Sequence, residues 1–147
     1  MTRSEKLAPV VKHAEKNEDQ ALQAVAFSQQ QLKMQQSRLQ QLIEYKLEYT
    51  NRHLEGSAVS YSAVQFQEFN RFLVQLDDTI KRQQQVIKMA ESEVDMKRQK
   101  WKLTRTRSNA MHKVVDRIFD DEQKQELKME QKTMDEFSLR LSLKTSL

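Results

Sequence analysis

The sequence predicts an all-α fold: two long helices in an antiparallel coiled-coil hairpin, the second longer than the first and ending in a C-terminal overhang. Three observations predict it. Among 147 residues there is one glycine, one proline and no cysteine, which leaves too few turn-forming residues for a multi-strand sheet or a loop-built active site. Charged residues make up 31% of the chain and aromatic ones only 7%, the balance of long helices rather than of a globular core. Apolar residues recur with a seven-residue period on both sides of the lone glycine, which is the pattern of a coiled-coil seam.

The first helix is expected over about residues 9–55. Proline is tolerated in the first turn of a helix, where its missing N–H has no partner to lose, so Pro9 marks the start. Gly56 supplies a left-handed C-cap. Within this span eight of twelve seam positions are apolar: Val11, Ala14, Ala21, Val25, Leu32, Leu39, Leu42 and Tyr49, interrupted by Glu18, Ser28, Gln35 and Lys46. The Gln-rich stretch from Gln29 to Gln41 holds Leu32 and Leu39 in phase and is read as helix, not as disordered low-complexity sequence.

A turn over residues 56–62 follows, and then a restart. Ser62-Ala63-Val64-Gln65 fits a capping box, with Tyr61 and Phe66 as the hydrophobic staple across it. The second helix is expected over about residues 63–140, because no glycine or proline occurs beyond the turn. Its seam runs from Phe66 to Ile118, and twelve of its sixteen positions are apolar, with Ser108, Gln83, Lys97 and Thr104 as the exceptions. Residues 1–8 and 141–147 are expected to fray, and the whole chain, 1–147, reads as a single coiled-coil domain.

If the hairpin folds around residues 58 and 59, position i lies beside position 117 minus i, which puts Pro9 next to Ser108 and Met1 next to Asp116. The seam then stops where the first helix stops covering it, since the next positions, Glu122 and Gln125, are polar. An overhang remains, ending in an out-of-register apolar group of Leu127, Met134, Phe137 and Leu141. At 1.5 Å per residue the paired section is about 70 Å long, a rod.

Such a rod offers no pocket for chemistry. His13, His53 and His112 are isolated from one another and form no ligand cluster of metal-site type, and the paired acids Asp77-Asp78 and Asp120-Asp121-Glu122 fall on different helix faces. No enzyme activity, cofactor or metal site is expected. Lys and Arg outnumber Asp and Glu by 25 to 21, too small a bias to demand nucleic acid. No apolar run reaches membrane-spanning length, and the first residues lack the apolar core of a signal peptide, so a soluble intracellular protein is expected.

Three surfaces are left as candidates. Phe66, Phe69 and Phe72 crowd the start of the second helix, with Ile43, Leu47 and Leu54 outside the seam of the first. They form either a locally widened core or a partner-docking patch. A basic segment carries Lys97, Arg98, Lys100, Lys102, Arg105, Arg107 and Lys113, with no acid between Met96 and Val115. It is a solvated face, a contact for an acidic protein surface or, more weakly, a nucleic-acid contact. The overhang, with Met134, Asp135, Glu136, Phe137 and Leu141, has nothing in its own chain to pack on.

Gln41-Leu42-Ile43-Glu44-Tyr45-Lys46-Leu47-Glu48-Tyr49 before the turn, the Phe-rich start of the second helix, and Gln131-Lys132-Thr133-Met134-Asp135-Glu136-Phe137 near the end resemble the bacterial flagellar export protein family FliJ over nearly the whole chain. The resemblance implies a non-enzymatic cytoplasmic component of the flagellar type III export apparatus, peripherally associated with the inner membrane. It also implies a stalk-like coiled coil that enters the hexameric export ATPase, promotes its assembly and activity, contacts the cytoplasmic domain of the export-gate membrane protein and helps recycle export chaperones. Carried onto this chain, the gate contact falls on Phe72 and Leu76, with Thr79 and Gln83 following them. The ATPase-ring contact falls on Lys97, Arg98, Lys100, Lys102, Arg105, Arg107, Met134, Asp135 and Phe137. A generic coiled-coil secretion chaperone or adaptor acting outside any ring is the alternative.

Overall fold

A computed structural model describes residues 1–55 and 62–146. They form two α-helices that pack against each other: α1, Arg3–Glu55, of 53 residues, and α2, Ala63–Thr145, of 83. No strand occurs among the described residues. Gly56 and Tyr61, expected as C-cap and staple, lie outside them.

Both helices begin at reciprocal caps. At α2 the Ser62 amide donates to Gln65 Oε1 at 3.0 Å and the Gln65 amide to Ser62 Oγ at 3.2 Å, so two of the orphan N–H groups of a helix start are satisfied. At α1 the same device sits at Thr2: its amide donates to Glu5 Oε2 at 3.2 Å and the Glu5 amide to Thr2 Oγ1 at 3.3 Å. The first helix therefore starts at Arg3, not at Pro9, and Pro9 lies inside it. The Thr-x-x-Glu box outweighs the proline as a start signal, because a proline this close to the N-terminus costs one hydrogen bond without ending the helix. At the other end α2 continues to Thr145, past the expected limit near residue 140.

The chain divides into two compact units. In the unit spanning Ala21–Trp101, Ala21, Val25, Leu76, Ile87 and Val94 are buried together with Ser28. All are seam positions. The polar seam positions find partners: Gln83 Nε2 donates to the Gln35 carbonyl oxygen at 2.9 Å and to its Oε1 at 2.8 Å, Lys46 pairs with Asp77, and Ser28 Oγ donates to the Val25 carbonyl at 2.8 Å. Paired polar groups in a seam cost little and allow few alternative registers.

The other unit joins Met1–Gln20 with Lys102–Leu147. Ser108 is its most deeply buried residue, at 1% exposure, and Leu7, Val11, Ala14, Met111, Val115 and Ile118 are half-buried around the same seam. Here the expected pairing is corrected. Ser4, predicted to lie near residue 113, instead donates from its amide to Glu122 Oε1 at 3.0 Å and from its hydroxyl to Glu122 Oε2 at 2.6 Å. Register follows from which side chains interlock rather than from the midpoint of a connection. Glu122 is thus half-buried and extends the seam by a position at which its polarity alone suggested an end.

Candidate functional site

The expected gate contact lies in the unit spanning Ala21–Trp101, where an aromatic group joins α1 to the start of α2. Tyr49 stacks on Phe69 with ring centroids 5.3 Å apart and tilts against Phe72 at 4.5 Å. Tyr45 meets Phe72 edge-on at 6.2 Å, and the His53 ring lies on Phe69 at 3.5 Å, within 11° of parallel. Seven-residue spacing puts Phe69 and Leu76 on the seam and Phe72 on its flank, so the rings gather where α1 supplies Tyr45 and Tyr49 four residues apart. Of the four residues implied in the gate contact, Leu76 is buried at 7% exposure, Gln83 is bonded to Gln35, and Phe72 is half-buried in the aromatic group. Thr79 alone is exposed, its hydroxyl donating to the Gln75 carbonyl at 2.9 Å. Ile43, Leu47 and Phe66 remain exposed around them.

The basic residues are mostly at the surface. In the same unit Lys97 is half-buried and pairs with Glu93 at 3.5 Å, one turn away, while Arg98 and Lys100 are exposed. In the terminal unit Lys102, Arg105, Arg107 and Lys113 are exposed, and His112 Nε2 lies 2.8 Å from Glu15 Oε1 of α1. A groove of about 370 Å³ opens beside these residues, lined by Val10, His13, Ala14, Asn17, Thr104, Arg107, Ala110, Met111 and Val114. Trp101 is half-buried in the seam, a packing position rather than a platform for a base.

From Gln123 to Ser146 every residue is exposed. Met134 and Phe137 are at 67% and 60%, and Asp135 stands beside them. This is the stretch of α2 that α1 does not cover.

Sequence reasoning missed the Ser4 and Glu122 contact. Its signal was present, since Ser4 lies seven residues before Val11 and Glu122 seven after Val115, both in seam phase. The Ser4 hydroxyl, and after it the Ser4 amide, hold the Glu122 carboxyl below its ordinary value, because both bonds favour the charged form. Among the described residues no group of three His, Cys, Asp or Glu side chains could hold a metal ion, and no helix is long and apolar enough to cross a membrane.

A family model described as Flagellar FliJ protein matches residues 3–146. No curated protein and no solved structure matches the chain.

Proposed function

Because this chain belongs to the flagellar FliJ protein family, we propose that it binds the hexameric export ATPase as a stalk-like helix pair, promotes its assembly and activity, contacts the export gate and helps recycle export chaperones. Membership carries a role in flagellar protein export, in which this family is a non-catalytic component. The finer reading places the protein in the cytoplasm, held at the inner membrane by its partners.

The observation that carries the reading is the bare end of α2. Residues 123–146 stay exposed over their whole length, with Leu127, Met134, Phe137 and Leu141 among them. Clustered exposed apolar side chains mark a surface that meets a partner. The exposed cations Lys102, Arg105 and Arg107 lie on the same helix and suit an acidic protein surface. In this reading Lys97, Arg98, Lys100, Lys102, Arg105 and Arg107, with Met134, Asp135 and Phe137, meet the ATPase ring, and Phe72, Leu76, Thr79 and Gln83 form the gate contact. Leu76 is buried there, whereas Thr79 is exposed and Phe72 and Gln83 are half-buried, so these three would make the first contact.

The test is a reconstitution with purified export ATPase. Added chain is expected to shift the ATPase toward hexamers and to raise its turnover, and reversing charge at Lys102, Arg105 and Arg107 together is expected to reduce both effects. Unchanged oligomers and unchanged turnover would sink the ring assignment. Binding of export chaperones without any effect on turnover would instead identify an adaptor.

A further inference from the structure

We propose that the bare end of α2, in the chain not bound to the ATPase, is a self-association surface, taking the same segment of a second copy in antiparallel orientation. Leu127, Met134 and Leu141 repeat every seven residues, and the intervening seam positions are Glu130, Phe137 and Lys144. That is the a/d pattern of a short coiled coil. All four apolar members are exposed, at 64, 67, 60 and 49% for Leu127, Met134, Phe137 and Leu141.

This stripe is not a continuation of the intramolecular seam. Leu127 lies five residues past Glu122, the last residue that α1 contacts by hydrogen bonds, and so about 140° around the helix from it. The continuing intramolecular seam instead carries Gln125, Lys132 and Glu136 among its six positions before the helix ends. An extension of α1 along its own path would therefore leave the Leu127 stripe uncovered.

The two polar positions within the stripe select the occupant. In a parallel pair Glu130 would face Glu130 and Lys144 would face Lys144, which puts like charges opposite each other in two of the six layers. In an antiparallel pair, Met134 of each copy meets Phe137 of the other, Leu141 packs beside Glu130, and Lys144 reaches Glu130 from the adjoining layer. The pattern complements itself only when one copy is reversed, with two ion pairs flanking a core of thioether against ring. Three heptads make a short contact, so the pairing is weak and reversible, with half of the chains associated only at about 0.1–1 mM.

Sedimentation equilibrium of the full chain over about 10 μM to 1 mM tests this. The expected result is a mass that rises with concentration from 17.5 kDa toward twice that value. Glu130→Lys and Lys144→Glu should each weaken association about tenfold, and the double variant should restore it. Both substitutions are at exposed positions outside the packed seam, and circular dichroism checks that helix content is unchanged. A chain that stays monomeric to 1 mM, or an association indifferent to the single and double charge reversals, overturns the proposal.

Discussion

Glu122 shows how one side chain can end a helix pair. Its carboxylate accepts both the amide and the hydroxyl of Ser4, so the first turn of α1 has an orphan donor satisfied from across the pair as well as by its own Thr2 and Glu5. Because these bonds lower the Glu122 pKa, the group binds a proton more readily unfolded than folded. The stabilisation is then fully present above the ordinary glutamate pKa of about 4.3 and is lost as pH falls through the lowered folded value. Melts at pH 7, 5 and 3 should accordingly show Glu122→Gln less stable than the parent at pH 7 and 5, with the gap narrowing as the pH falls below the ordinary glutamate range. A gap that is constant with pH would show the carboxylate's charge to be irrelevant. Leu76 makes the complementary case. Buried at 7% exposure, it should cost about 2–3 kcal/mol when changed to Ala, whereas Thr79→Ala, at an exposed site, should stay within about 0.5 kcal/mol. Urea titrations of the two variants measure this difference. Loss of gate binding in Leu76→Ala therefore reports on the contact only if the variant is shown to be folded, and Thr79→Asp is the cleaner probe.

At the level of the helices, the two starts teach different lessons. Ser62 and Gln65 announced α2 through a box that the structure reproduces bond for bond, since a capping box is a local device whose partners lie three residues apart. Thr2 and Glu5 form the same box, but Pro9 was the stronger feature by eye and drew the expected start six residues too late. In α1 the Pro9 ring removes the N–H that would have bonded the Glu5 carbonyl, yet the helix runs through it. Pro9→Ala should thus stabilise the chain by about 1–3 kcal/mol, offset in part by the greater freedom it gives the unfolded state. Thr2→Ala should destabilise it by about 0.5–2 kcal/mol. Urea denaturation followed at 222 nm checks both signs, and a loss of stability in Pro9→Ala would mean that the proline is needed to set the helix entry. The seam was legible for a different reason. All twelve seam positions foreseen in α1 are buried or half-buried, and in α2 only Phe66 among sixteen is exposed, because a seven-residue period places those side chains on one face whatever their partners are. Which residues pair across the seam was legible only near the turn: Gln35 meets Gln83 and Tyr49 meets Phe69, each one residue from the expected pairing, whereas Ser4 meets Glu122, well beyond it. Period fixes a face and leaves the sliding of one helix along the other to side-chain fit.

Over the whole chain, what holds the fold and what is offered to partners fall on different residues. Burial is concentrated at Ala21, Val25, Ser28, Leu76, Ile87, Val94 and Ser108, all in seam phase and all upstream of Glu122. The candidate contacts were harder to read from sequence. Exposure at Met134 and Phe137 followed from their being out of phase with the seam, and burial of Leu76 from its place in it, but the bonding of Gln83 to Gln35 depends on what α1 places opposite. The division has a consequence that can be measured. Among the described residues, ending the chain after Glu122 removes only exposed ones, so little buried apolar area is lost, and stability follows buried area rather than helix length. The shortened protein should melt within about 2 °C of the parent, a shift expected for well under 1 kcal/mol in a chain of this size. Its total helical signal should fall by the share of the deleted turns of α2. In the ATPase reconstitution the same protein should lose most of the stimulation. A steep drop in melting temperature would show instead that the terminal stretch supports the fold, and any loss of function on deleting it could then no longer be assigned to a missing contact.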